Sequence, residues 1–69
     1  DLQGRIALVT GATGGIGSEI CAALAAAGAT IVGADLAAEA PDFAGDYVPL
    51  DVTDEADWQR VIGHIETRY

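Results

Sequence analysis

The stretch Thr10-Gly11-Ala12-Thr13-Gly14-Gly15-Ile16-Gly17 places four glycines within eight residues, between an apolar run and an alanine-rich run. Glycine tolerates backbone conformations closed to other residues, so this density predicts a tight connection from a strand into a helix. The helix that follows aims unpaired N–H groups and the positive end of its dipole back over the turn, an arrangement that suits a bulky anion. The spacing is not G-x-G-x-x-G, because Ile20 stands where a third glycine would be needed, and the absence of lysine excludes a P-loop.

The flanking residues supply the context. Arg5 to Thr10 is a short apolar run of the kind found in strands covered on both faces. Ile16, Ile20 and Leu24 recur at helical spacing and predict an apolar stripe, with Gly28 as a left-handed stop. Ala29 to Asp35 repeats the buried-strand pattern and ends in a carboxylate. Leu36 to Asp46, with Pro41 and Gly45, reads as a loop with at most a short helix before the proline. Tyr47 to Leu50 is a weaker strand, and Pro49 suits an irregular or edge position. Thr53 is expected to cap a second helix with Asp54, Glu55 and Asp57 at its start. Trp58, Val61, Ile62, Ile65 and Tyr69 are expected to share its apolar face, and Gly63 weakens it by about 1 kcal/mol relative to alanine. The order βαβ, loop, βα predicts an α/β fold: the N-terminal half of a Rossmann-like doubly wound parallel sheet, strand order 3-2-1, with right-handed crossovers and flanking helices. Residues 1–69 then form the N-terminal part of one dinucleotide-binding domain, with no internal repeat.

Within that fold the glycines take separate roles. Gly11 permits the sharp exit from the first strand, Gly15 lets backbone approach a pyrophosphate, and Gly17 allows the helix to pack closely on the strand. Thr13, Gly14 and Ile16 complete the expected cradle. Asp35, 18 residues past Gly17, stands where a carboxylate accepts from the two ribose hydroxyls of an adenosine. A 2′-phosphate would meet its negative charge, and neither Leu36 nor Gly14 offers a cation, so NAD is preferred over NADP. Asp51, with the Val52 backbone beside it, is a candidate acceptor for the adenine amine; the alternative is an acid that merely precedes the Thr53 cap. Cys21 reads as packing and His64, lacking a local partner, as a solvated helix position. No metal-ligand spacing and no Ser–His–Asp set is present.

The bulk properties bound the function. A unit of 69 residues buries only roughly 60% of the surface of its unfolded chain, too little for a complete enzyme, and the lack of methionine suggests a piece of something longer. Eleven acids against three basic residues give a formal charge of −8, which argues against nucleic acid as a partner. One cysteine excludes an internal disulfide framework, and the longest apolar runs fall short of a membrane span, so the cytoplasm is the expected location.

These residues resemble the short-chain dehydrogenase/reductase family over nearly the whole chain. Thr10 to Gly17 matches its T-G-x-x-x-G-I-G turn, Asp35 its NAD-type selector, and Asp51-Val52 its adenine-pocket dipeptide. Gly11, Gly14 and Gly17 also fit the G-x-x-G-x-x-G turn of the extended, epimerase-like branch, whose members usually carry a bulky aromatic where Gly15 stands. The resemblance implies an oxidoreductase that moves hydride between a nicotinamide cofactor and an alcohol or ketone substrate. It also implies assembly as a homo-oligomer, a dimer or a tetramer. The alternatives are a nucleotide-binding module without catalysis and a sugar-nucleotide epimerase or dehydratase. The family's chemistry uses a tyrosine with a lysine four residues on; here Tyr47 is followed by Asp51, so no catalytic residue carries over. The family's Asn-Asn-Ala-Gly strand is likewise missing, which leaves the first strand with an exposed flank. Produced alone, the 69 residues are therefore expected to self-associate or to run as a swollen monomer, and a compact monomer whose size-exclusion volume is independent of concentration would contradict this.

Overall fold

Strands β1 (Ile6–Thr10), β2 (Thr30–Asp35) and β3 (Asp46–Pro49) alternate with helices α1 (Gly15–Ala26) and α2 (Glu55–Arg68) in the order β1-α1-β2-β3-α2. This computed structural model describes residues 1–40, 42–43 and 45–69. β2 is central and parallel to both neighbours, running from Ile6 opposite Thr30 to Thr10 opposite Ala34, and from Val32 opposite Asp46 to Asp35 opposite Pro49. The sheet order is the expected 3-2-1. Pro49 closes an edge strand, where a missing N–H costs no central ladder bond.

Because side chains alternate across a strand, β2 feeds two separate cores. Ile31 joins Val9, Ala12 and Cys21 on the α1 face, while Val32 and Ala34 join Val48, Leu50 and Val61 on the α2 face. Four consecutive buried residues, Ile31 to Ala34, are the mark of a strand covered on both sides. Each large apolar side chain buried in this way contributes about 1.5–3 kcal/mol.

The helices differ from expectation in detail. In α1 the buried position is Cys21, flanked by half-buried Gly17 and Leu24, whereas Ile16 and Ile20 are 77% and 46% exposed. The reason is size: the small-residue face approaches the sheet most closely, and the isoleucines turn to the flank. Gly28, at φ 103°, ends the helix as predicted. The N-cap of α2 is Asp54, not Thr53; Asp54 Oδ1 accepts from the amides of Ala56 (2.9 Å) and Asp57 (3.4 Å). Thr53 lies one residue before the cap, and its hydroxyl is turned to Asp51, donating to Oδ1 at 2.6 Å. Trp58, Val61 and Ile65 face the core, but Ile62 and Tyr69 lie on the rim, about half exposed.

Residues Leu36 to Ala40 form no helix. Pro41, expected to end any helix there, lies outside the described residues. Phe43 anchors this connection by lying over Gly33, where an added Cβ would overlap the ring. Its ring also sits 6.0 Å from that of Tyr47, tilted by 55°.

His64 is not a solvated, unpartnered position. Its Nε2 lies 2.9 Å from Asp46 Oδ2, to which the Tyr69 hydroxyl also donates (3.0 Å) and beside which Arg68 Nε sits at 3.3 Å. The partner was hidden by 18 residues of separation. Burial alone would raise the Asp46 carboxyl, but the hydrogen bonds from His64 and Tyr69 and the charges of His64 and Arg68 hold it below its usual range. A lowered carboxyl stabilises the fold fully above the unfolded value of 3.8, and that contribution fades as pH falls through the depressed folded value. Asp46→Asn is expected to reduce stability at neutral pH by about 1–3 kcal/mol and to flatten the acid limb of the stability profile, as followed by denaturant titration at several pH values.

Candidate functional site

The site is built where the strands end. β1 stops at Thr10, and Gly11 turns the chain at φ 68°, a conformation that favours glycine. The Ala12 amide then donates to the Ala34 carbonyl (3.1 Å) and the Gly14 amide to that of Gly11 (3.1 Å), so the turn is tied to the end of β2. Gly17 sits directly over Gly11, and a Cβ there would overlap the Gly11 carbonyl oxygen. The role predicted for it, close packing of helix on strand, is thus visible in the geometry.

The first turn of α1 is exposed and uncompensated. Its N-cap, Gly14, offers no side chain, and no acid stands in the first turn. Among the described residues no protein acceptor takes the N–H groups of Gly15, Ile16 or Gly17. An added Cβ at Gly15 meets nothing within 4 Å. Open space in front of three free donors at the positive end of a helix is chemically suited to an anion.

Asp35 closes β2 beside this turn. Its Oδ2 accepts from the Thr13 hydroxyl (2.5 Å) and the Thr13 amide (3.1 Å), and its Oδ1 accepts from the Leu36 amide (2.8 Å). These bonds, that from the Thr13 hydroxyl foremost, hold the carboxyl below the ordinary carboxylate value. Asp51 Oδ1 takes both donors of Thr53, hydroxyl and amide, which likewise lowers its carboxyl. Asp51 Oδ2 has no protein donor among the described residues, so the turn with Thr53 leaves one acceptor oxygen open.

Two hollows open at this edge. One, of about 330 Å³, is lined by Gly11, Asp35, Leu36, Asp51, Val52 and their neighbours, with Leu36 and Val52 well exposed on it. The other, of about 340 Å³, lies against Thr13, Ser18, Glu39, Asp42 and Phe43. Among the described residues no basic side chain lines either one. Of the three arginines, Arg60 is engaged with Asp57 and the Pro49 carbonyl, Arg68 with Asp46, and Arg5 precedes the start of β1. The structure therefore brings Gly11, Thr13, Gly14, Gly15, Gly17, Asp35, Leu36, Asp51 and Val52 to one end of the sheet, while the Ile16 side chain points to the exposed flank of α1.

Two contacts escape a reading of the sequence. The Asp51–Thr53 turn carries a local signal, since an Asp two residues before a Thr commonly folds back on it. The Thr13–Asp35 pair spans 22 residues and has none. Among the described residues no group of three or more His, Cys, Asp or Glu could hold a metal ion. No described helix is long and apolar enough to cross a membrane.

The sequence pattern of the family described as short chain dehydrogenase matches residues 5–69. Curated relatives include an uncharacterized oxidoreductase, YxjF, of Bacillus subtilis (strain 168), 36% identical over 99% of this chain and 30% of its own length. The 3-oxoacyl-(acyl-carrier-protein) reductase FabG of Escherichia coli (strain K12) is 36% identical over 100% of this chain and 31% of its own. A 3-beta-hydroxysteroid dehydrogenase of Comamonas testosteroni is 37% identical over 97% and 29%. The chain spans about three-tenths of the length of these relatives.

The two glycines of the helix start separate on this geometry. Gly17→Ala must push α1 off the Gly11 carbonyl and is expected to cost roughly 2–4 kcal/mol, whereas Gly15→Val meets open space and is expected to stay within about 1 kcal/mol, both read by chemical denaturation.

Proposed function

This chain belongs to the short chain dehydrogenase family, and we propose that it forms the NAD-binding part of an oxidoreductase acting on an alcohol or ketone. The observation that carries the cofactor assignment is Asp35. It is an ionised carboxylate at the end of β2, on a rim where every ionisable lining group is acidic. A ribose with free hydroxyls can donate to it, and a ribose bearing a 2′-phosphate would be repelled.

When bound, the nicotinamide supplies hydride acceptance or donation. The residues of this chain bind and orient. The amides of Gly15, Ile16 and Gly17 would hold the pyrophosphate with the dipole of α1, and Gly15 keeps the approach clear. Asp35 would take the adenosine ribose, while Leu36 and Val52 flank the adenine and Asp51 Oδ2 accepts from its amine. None of these 69 residues is assigned proton transfer, which falls to the rest of the protein. Cytoplasmic location and assembly as a dimer or tetramer belong to the same proposal, on family likeness.

Asp35→Ser combined with Leu36→Arg is expected to shift the ratio of NADP to NAD affinity by tenfold or more toward NADP, as about 1.4 kcal/mol is a factor of ten. Titration calorimetry on the whole protein reads this ratio, and a ratio that does not move overturns the role given to Asp35. Gly15→Val, which the fold tolerates, is expected to abolish measurable NAD binding; unchanged affinity would remove the cradle.

A further inference from the structure

We propose that Thr13 is a positioning residue that acts through Asp35, fixing its carboxylate so that Oδ1 faces the hollow in which a ribose is read, and thereby shares in choosing a diol over a phosphate-bearing sugar. The inference rests on the NAD-binding reading above and deepens it.

Three observations carry it. First, both polar groups of Thr13, hydroxyl and amide, donate to the same oxygen, Asp35 Oδ2, while the other oxygen carries only the Leu36 amide. A carboxylate gripped at one oxygen by two donors from a different segment has its rotation about Cβ–Cγ set by that segment. Second, no cation lines the hollows on either side; the charged groups that face the pair are Glu39 and Asp42 beside Thr13 and Asp51 beside Asp35, with the Tyr47 hydroxyl against the Asp35 carbonyl. The negative charge is therefore held by neutral donors alone, and of these only the Thr13 hydroxyl is a side chain that substitution can delete. Third, Thr13 is exposed and outside both cores, so its hydroxyl is not needed for packing.

The chemistry follows from the donor count. Deleting the hydroxyl leaves Oδ2 with one weaker donor, frees the carboxylate to turn, and makes its protonation easier as pH falls. A ribose whose hydroxyls are read by a correctly aimed Oδ1 loses more from this than does a nucleotide whose 2′-phosphate was repelled by the same charge.

The test uses the whole protein, titrated with NAD and with NADP from about pH 3 to about pH 7 so that the range covers the titration of a carboxyl held below its ordinary value, comparing the native form with Thr13→Val, Thr13→Ser and Asp35→Asn. Thr13→Val preserves the branched shape and is expected to weaken NAD about tenfold, to leave NADP nearly unchanged, and to move the acid limb of NAD binding to higher pH. Thr13→Ser should restore the ratio and the limb. In an Asp35→Asn background Thr13→Val should have almost no further effect, since the group it positions is already changed. The proposal is overturned if Thr13→Val keeps both the NAD to NADP ratio and the acid limb, if Thr13→Ser behaves like Thr13→Val, or if the two substitutions are additive. Failure of the native protein to bind NAD at all would instead strike the underlying reading, and this inference with it.

Discussion

The distance between α1 and β1 governs the rest of this structure. Gly17 lacks the one atom that would collide with the Gly11 carbonyl, so the helix settles against the strand end. From that closeness follow the tie from Ala12 to Ala34, the placement of three free amides beside the turn, and the reach of Thr13 to Asp35. A single methyl group at this position would lift the helix start and shift all of them together.

The two faces of the sheet solve the covering problem differently. On one face α1 turns Gly17, Cys21 and Leu24 to the sheet and shields it by lying close at its glycine end. On the other, α2 stands further off and fills the gap with Trp58, Val61 and Ile65. The division also orders the ends: the carboxyl ends of the strands gather Asp35 and Asp51, while the start of β3 holds the Asp46 cluster with His64, Arg68 and Tyr69. One end is equipped for a ligand and the other for joining helix to sheet.

Much of this was legible in the residues because local rules dominate. The buried runs around Ile31 to Ala34 and the glycines at 11, 17 and 28 have short-range causes, and strand order follows from the alternation of elements. What escaped depends on partners distant in sequence or on competition between neighbours. His64 finds Asp46 across 18 residues, and Thr13 finds Asp35 across 22. Asp54 caps α2 while the Thr53 hydroxyl turns to Asp51, a choice between adjacent cap-forming residues that spacing alone does not resolve. Ile16 and Ile20 obey the helical period, yet in α1 the inward positions fall to Gly17, Cys21 and Leu24, so the predicted stripe is rotated and only Leu24 of it packs on the core.

Phe43 occupying the notch above Gly33 has a consequence for how such chains diversify. Among the described residues the β2-to-β3 connection is held by this aromatic plug and by the Tyr47 hydroxyl, which donates to the Ala37 carbonyl (2.6 Å), so Leu36 to Ala40 form a rim supported from its far side. A rim held from beneath in this way can change the charge of its exposed side chains without moving β3, which makes it a replaceable border on an otherwise fixed frame.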